Sequence, residues 1–226
     1  MSFEVLYQPF EQIDGELTAL FDGAGLFVAL GVALLLGLRH ASDPDHLVAV
    51  TSLVSSDAAG THDAARLGTW WGAGHAITLL AVGLPLIALK SGLPGWLETA
   101  AERAVGIVVL ALAARVLYKW FRRDAAERTR PPARRPREAF GIGVLHGLAG
   151  SGAVALLLIA AMPTQLEAAA ALAVFAPMSV ISMTACTAAF AWVLTRPALA
   201  TVYTSVMVPA LGSFGLLFGF WYAGLA

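Results

Sequence analysis

The sequence predicts an all-α integral membrane protein with about six transmembrane helices, arranged as two inverted three-helix repeats with broken helices at a polar site. Three observations predict it. The chain of 226 residues is 58% hydrophobic and only 13% charged, about half the charged fraction of a soluble domain, with a mean hydropathy of +0.75. Six apolar runs approach or exceed the roughly 20 residues a bilayer demands. One strongly basic, proline-containing stretch divides those runs three and three.

The runs fall at about 20–40, 66–90, 100–121, 139–162, 166–194 and 198–225. Residues 1–19 form an acidic segment ahead of them, containing Glu4, Glu11, Asp14 and Glu16 but no Lys or Arg. Residues 20–121 make the first repeat and 139–226 the second. Between them, residues 122–138 hold Pro131, Pro132 and Pro136 among several arginines. Proline cannot continue a helix, so this stretch is a loop. An excess of Lys and Arg marks cytoplasmic loops. The loop therefore faces the cytoplasm and the acidic N-terminal segment lies outside, in a multi-pass protein of the cell inner membrane. No cleavable signal peptide is expected, because no basic segment precedes the first apolar run. Lys90, near an outer end, is the one basic residue that dissents.

The halves are related at an offset of 106 residues. Gly37-Leu38-Arg39-His40 parallels Gly143-Val144-Leu145-His146, and Ala104-Val105-Gly106 parallels Ala210-Leu211-Gly212. An odd number of helices per repeat inverts the second copy, as in many transporters that bind substrate near the midplane.

Chemistry concentrates at His40-Ala41-Ser42-Asp43-Pro44-Asp45-His46. Ionisable groups at membrane depth are costly and mark functional sites. His and Asp together suit a divalent transition metal, whereas calcium and magnesium prefer oxygen shells. In an unbroken helix, six residues would leave His40 and His46 about 120° apart. Asp43 and Pro44 offer a break, since Asp caps helices and Pro suits a first helical position. One helix then ends near Ala41, another starts at Pro44, and His40 meets His46 with Asp45 in the first turn. Asp43 is either a cap or a ligand. His75, in Gly72-Ala73-Gly74-His75, is a fourth ligand candidate, with Thr78 one turn below. His146 opens His146-Gly147-Leu148-Ala149-Gly150-Ser151-Gly152, read as a second broken or tightly packed segment. His146 and Ser151 are either packing residues or part of a pathway. His62 reads as a solvated loop residue. Met178, Met183 and Cys186 read as core packing. The single cysteine excludes a disulfide framework and a thiolate cluster.

The His40–His46 stretch fits the H-x4-D-H signature of the nickel/cobalt transporter (NiCoT) superfamily, and Gly74-His75 resembles that family's second histidine motif. The run from His146 to Gly152 resembles the short, urease-accessory-type nickel permease branch. Pro44 stands where an alanine is usual. The resemblance implies that His40, Asp45, His46 and His75 bind the substrate metal. It implies transport of Ni²⁺ or Co²⁺, with the ion as substrate and no cofactor. No P-loop is present, so no ATPase activity is expected. The expected partners are the divalent ion and the lipid bilayer, with no nucleic acid; a homo-oligomer is compatible with the sequence. The rival classes are an intramembrane metalloenzyme, for which no H-E-x-x-H or Ser/Lys dyad is found, and a metal-binding accessory subunit.

Overall fold

The computed structural model describes residues 26–56, 60–90, 94–122, 135–194 and 196–225. All the regular structure among these residues is helical. The acidic N-terminal segment and most of the basic loop lie outside the described residues.

The first apolar run is helix α1, Leu26–Arg39. It passes through a 3-10 turn at His40–Ser42 into α2, Pro44–Ser56. Asp43 separates the two in an extended conformation, with φ −63° and ψ 144°. Pro44 has no N–H to continue the first helix, and the residue before a proline is pushed out of the helical region. The two segments are bent by 53° at this break. The break read from Asp43-Pro44 is thus present where the sequence placed it.

Four long helices follow: α3, Thr61–Leu89; α4, Gly95–Phe121; α5, Pro136–Ala161; and α6, Gln165–Leu194. The chain ends in a short α7, Pro197–Val202, a π turn at Tyr203–Met207, and α8, Val208–Tyr222. Among the described residues, four helical segments are long and apolar enough to cross a membrane, and five if the bent pair is one span. The remaining expected span coincides with α5, whose 26 residues would reach about 39 Å. This is a multi-pass helical membrane protein.

Local sequence explains how the helices start and stop. Helix α6 opens on a reciprocal cap: the Thr164 hydroxyl accepts from the Glu167 N–H at 3.2 Å, and the Glu167 carboxylate accepts from the Thr164 N–H at 3.1 Å. This T-x-x-E pattern satisfies two helix-end donors at once. At the end of α3, Lys90 turns into the left-handed region at φ 48°. Gln165 then donates to the exposed carbonyls of Ile87 and Ala88.

Helix α5 is continuous through Gly147, Gly150 and Gly152. Of the two readings for this segment, a break or tight packing, tight packing holds. Glycine weakens a helix by only about 1 kcal/mol each, and no proline follows Pro136 until Pro163. Only the first half is broken at the polar site.

Helix packing interleaves the two halves of the chain. Helix α1 packs on α6, and α5 packs on α3; α3 packs on α6, and α4 on α8. Exchanging the two halves maps this set of pairs onto itself. Individual glycines show the same reciprocity. A Cβ on Gly37 would strike Met178 and the Phe175 carbonyl on α6, while one on Gly143 would strike the Trp71 carbonyl and the His75 amide on α3. A Cβ on Gly106 would strike Ala223, and one on Gly212 would strike Leu117. Residues 117 and 223 are themselves 106 positions apart, so the two contacts are each other's counterparts.

Candidate metal centre

Three imidazoles meet at the break. His40 lies in the 3-10 turn, His46 in the first turn of α2, and His75 on α3. One ring nitrogen of each falls within 4.8 Å of the others. His75 has fourteen residues of α3 on either side, so it sits at the midpoint of its span. His40 follows 14 residues of α1, about 21 Å of helix. The cluster is therefore deep between the ends of the helices. His46 and His75 are both buried.

The His40–His75 separation suits a shared ion. His40 Nε2 and His75 Nε2 lie 2.9 Å apart. Two nitrogens bonded to one ion at about 2.0–2.1 Å stand roughly 3 Å apart when they are neighbours. The ring centroids are 4.4 Å apart for His40 and His46, 4.8 Å for His40 and His75, and 5.3 Å for His46 and His75.

The two carboxylates stand behind the cluster. His46 Nδ1 donates to Asp45 Oδ1 at 2.9 Å, leaving His46 Nε2 buried and without a partner. His40 Nδ1 lies 3.1 Å from Asp43 Oδ2, and Arg39 Nη1 lies 3.2 Å from Asp43 Oδ1. Each aspartate thus fixes the tautomer and ring orientation of one histidine, the arrangement that supports metal-ligating imidazoles. Asp43 has each of its two carboxylate oxygens facing a side chain, Arg39 and His40. Its backbone still joins the helix start, since its carbonyl accepts from the Leu47 N–H at 3.0 Å.

The remaining candidates separate cleanly. His146, on α5, is buried, with its ring centroid 5.5 Å from that of His46. Thr78 donates to the Gly74 carbonyl at 3.0 Å and so serves its own helix. The side chain of Ser151 lies outside the described residues. His62 is fully open, its side chain 95% exposed, although it sits in the first turn of α3. Met183 is fully buried, and Cys186 packs against the same apolar cluster.

Sequence reasoning missed three contributors. Trp71 is wholly buried, 5.4 Å from His46 and 6.1 Å from His146. Phe175 packs against His40 at 5.2 Å. The Ser182 hydroxyl donates to the Gly37 carbonyl at 2.9 Å, tying α6 to the end of α1 just ahead of the break. The one available signal for Trp71 was its place four residues before His75, on the same helix face.

With this geometry established, comparison with known proteins is informative. The chain is similar to a urease accessory protein. That relative, UreH of Bacillus sp. (strain TB-90), is 29% identical over 147 residues. The match covers 60% of this chain and 64% of the relative, so the chain spans less than two thirds of the relative's length. This agrees with the resemblance to the urease-accessory branch carried by the histidine motifs. No protein-family profile and no solved structure matches the chain.

The positioning role of Asp43 has a direct test. Asp43→Asn keeps an oxygen that can accept from His40 Nδ1, whereas Asp43→Leu removes the carboxylate partner of both His40 Nδ1 and Arg39. We expect Leu to lower divalent-metal binding by about 10–100-fold, the usual cost of losing such a partner, and Asn to retain most of it. A direct ligand would lose almost as much with Asn as with Leu.

Proposed function

We propose that this protein carries a divalent transition-metal cation across the membrane, with Ni²⁺ or Co²⁺ the first candidates and His40, His46 and His75 the ligands. The observation that carries the proposal is three convergent imidazoles deep between membrane helices, two of them held at Nδ1 by an aspartate. Ionisable groups at such depth are costly and mark ion pathways. Imidazole nitrogens favour nickel, copper, iron or zinc over the hard cations. The two aspartates against Arg39 leave one formal negative charge behind the rings, which offsets part of the charge of an arriving ion. The similarity to a urease accessory protein supports nickel as the first candidate.

The proposed path enters from the outer side and ends in the cytoplasm of a cell whose inner membrane holds the protein. The two halves form inverted repeats that rock about the site. The reciprocal glycine contacts at the 106-residue offset support that symmetry. The bent α1–α2 segment provides the polar niche, since irregular backbone at membrane depth is tolerated where it lines a protein-enclosed cavity.

The test is flux of radioactive Ni²⁺ into proteoliposomes bearing the purified chain, with Co²⁺, Zn²⁺, Mn²⁺ and Fe²⁺ as competitors. Saturable uptake, inhibited most strongly by Co²⁺, is expected. A tightly held metal that survives EDTA with no flux would favour the metalloenzyme or accessory-subunit reading. Acidification supplies a second prediction. Protons compete with metal for imidazole nitrogen, and an ordinary imidazole protonates near pH 6.5. Uptake should therefore weaken on acidification. A flat profile from pH 5 to 8 would remove the histidines from the metal.

A further inference from the structure

His146 lies outside the compact three-histidine set yet has the features of a ligand held in readiness. Its Nδ1 lies 3.1 Å from the Ile142 carbonyl. A carbonyl only accepts, so Nδ1 carries the hydrogen and Nε2 holds a free lone pair. That Nε2 is buried and has no partner. An unpaired buried polar atom is costly, so its retention needs a reason. The His146 ring stands beside His46, and Trp71 packs against both. His146 also occupies the position in the second half that His40 occupies in the first.

We infer that His146 is a relay ligand: the ion first held by His40, His46 and His75 passes to a second position shared by His46 and His146 on the other side of the break. The inference rests on the metal-transport reading above. In the exchange the metal's bonds to His40 and His75 break and one to His146 Nε2 forms, while His46 stays bound. Each nitrogen keeps its own lone pair, so no proton moves and no redox partner is needed. His46 suits the shared role because it is the ring with both His40 and His146 as neighbours, at 4.4 and 5.5 Å.

The experiment separates binding from transit. Ni²⁺ is titrated calorimetrically into the purified full chain, and Ni²⁺ flux is measured in proteoliposomes, for wild type, His40→Ala, His146→Ala and His146→Gln. Glutamine preserves bulk and can still donate to the Ile142 carbonyl, which protects the fold if alanine does not. The relay predicts that both His146 variants bind Ni²⁺ within about threefold of wild type but lose more than about tenfold in flux, whereas His40→Ala loses both. Flux within about twofold of wild type in a folded His146 variant overturns the relay. So does a binding loss in His146→Gln as large as in His40→Ala, which would make His146 a simultaneous ligand. Failure of the wild-type chain to bind Ni²⁺ defeats the transport reading itself, a result distinct from either.

Discussion

Replacing His46 by alanine should reduce Ni²⁺ flux to the level of protein-free liposomes while leaving membrane insertion and helical content intact. His46 is buried, its Nδ1 is committed to Asp45, and its Nε2 faces no protein partner. It is also the ring that stands beside His40, His75 and His146 alike. Loss of a carboxylate that only orients a metal-bound imidazole costs about 10–100-fold, so loss of the central imidazole should exceed about 100-fold. The deletion leaves a cavity among apolar and aromatic neighbours, and a modest fall in thermal stability is expected with it. His62→Ala is the matched control: that ring is open to solvent and its loss should leave flux unchanged. Wild-type flux in His46→Ala would remove the histidine cluster from the pathway.

Gly143→Ala should be more damaging than the same change at Gly141 or Gly147 of α5. Its Cβ would fall on the Trp71 carbonyl oxygen and the His75 amide nitrogen, both backbone atoms. A flexible side chain can swing aside, but a helix backbone cannot. The α3–α5 pair must separate, and the displacement arrives at His75 and at Trp71 beside His46. Overpacking of this kind costs about 1–3 kcal/mol, and a sub-ångström shift of one ligand lowers flux further. Gly141→Ala is the internal control, because nothing lies within 4 Å of its added Cβ. There alanine should be neutral or stabilising by up to about 1 kcal/mol through helix propensity. Thermal unfolding in detergent, followed for both variants, checks the contrast; equal melting temperatures would show that the close α3–α5 approach does not exist.

The break was legible because its cause is local. Asp43 and Pro44 dictate where one helix stops and the next begins, and once the bend is granted His40 must approach His46. His75 was legible because the neighbouring glycines advertise a close helix contact. The parts of the site that escaped sequence reasoning depend on rotamers and on long-range packing. Nothing in the order of residues says that Asp43 turns to Arg39 and His40, or that Asp45 turns to the adjacent His46. His146 reaches His46 only because α5 lies against α3, and the density of glycine that makes that approach possible resembles a helix breaker when read along the chain. A glycine run without proline packs; a single proline after an extended aspartate bends. The Thr164–Glu167 cap sets the start of α6, which the apolar run alone had placed at about 166. The 106-residue repeat rested on short matches in sequence, and the reciprocal contacts of Gly106 with Ala223 and Gly212 with Leu117 give those matches a physical reason.

The most direct measurement is X-ray absorption at the nickel edge of the purified chain loaded with one equivalent of Ni²⁺. Imidazole rings scatter with a distinctive outer-shell pattern that carboxylates and water lack. The proposed site predicts three imidazole nitrogens at about 2.0–2.1 Å, a shell that His40→Ala, in which binding is lost, no longer forms. A shell of oxygen donors alone, or a spectrum unchanged by His40→Ala, would contradict it.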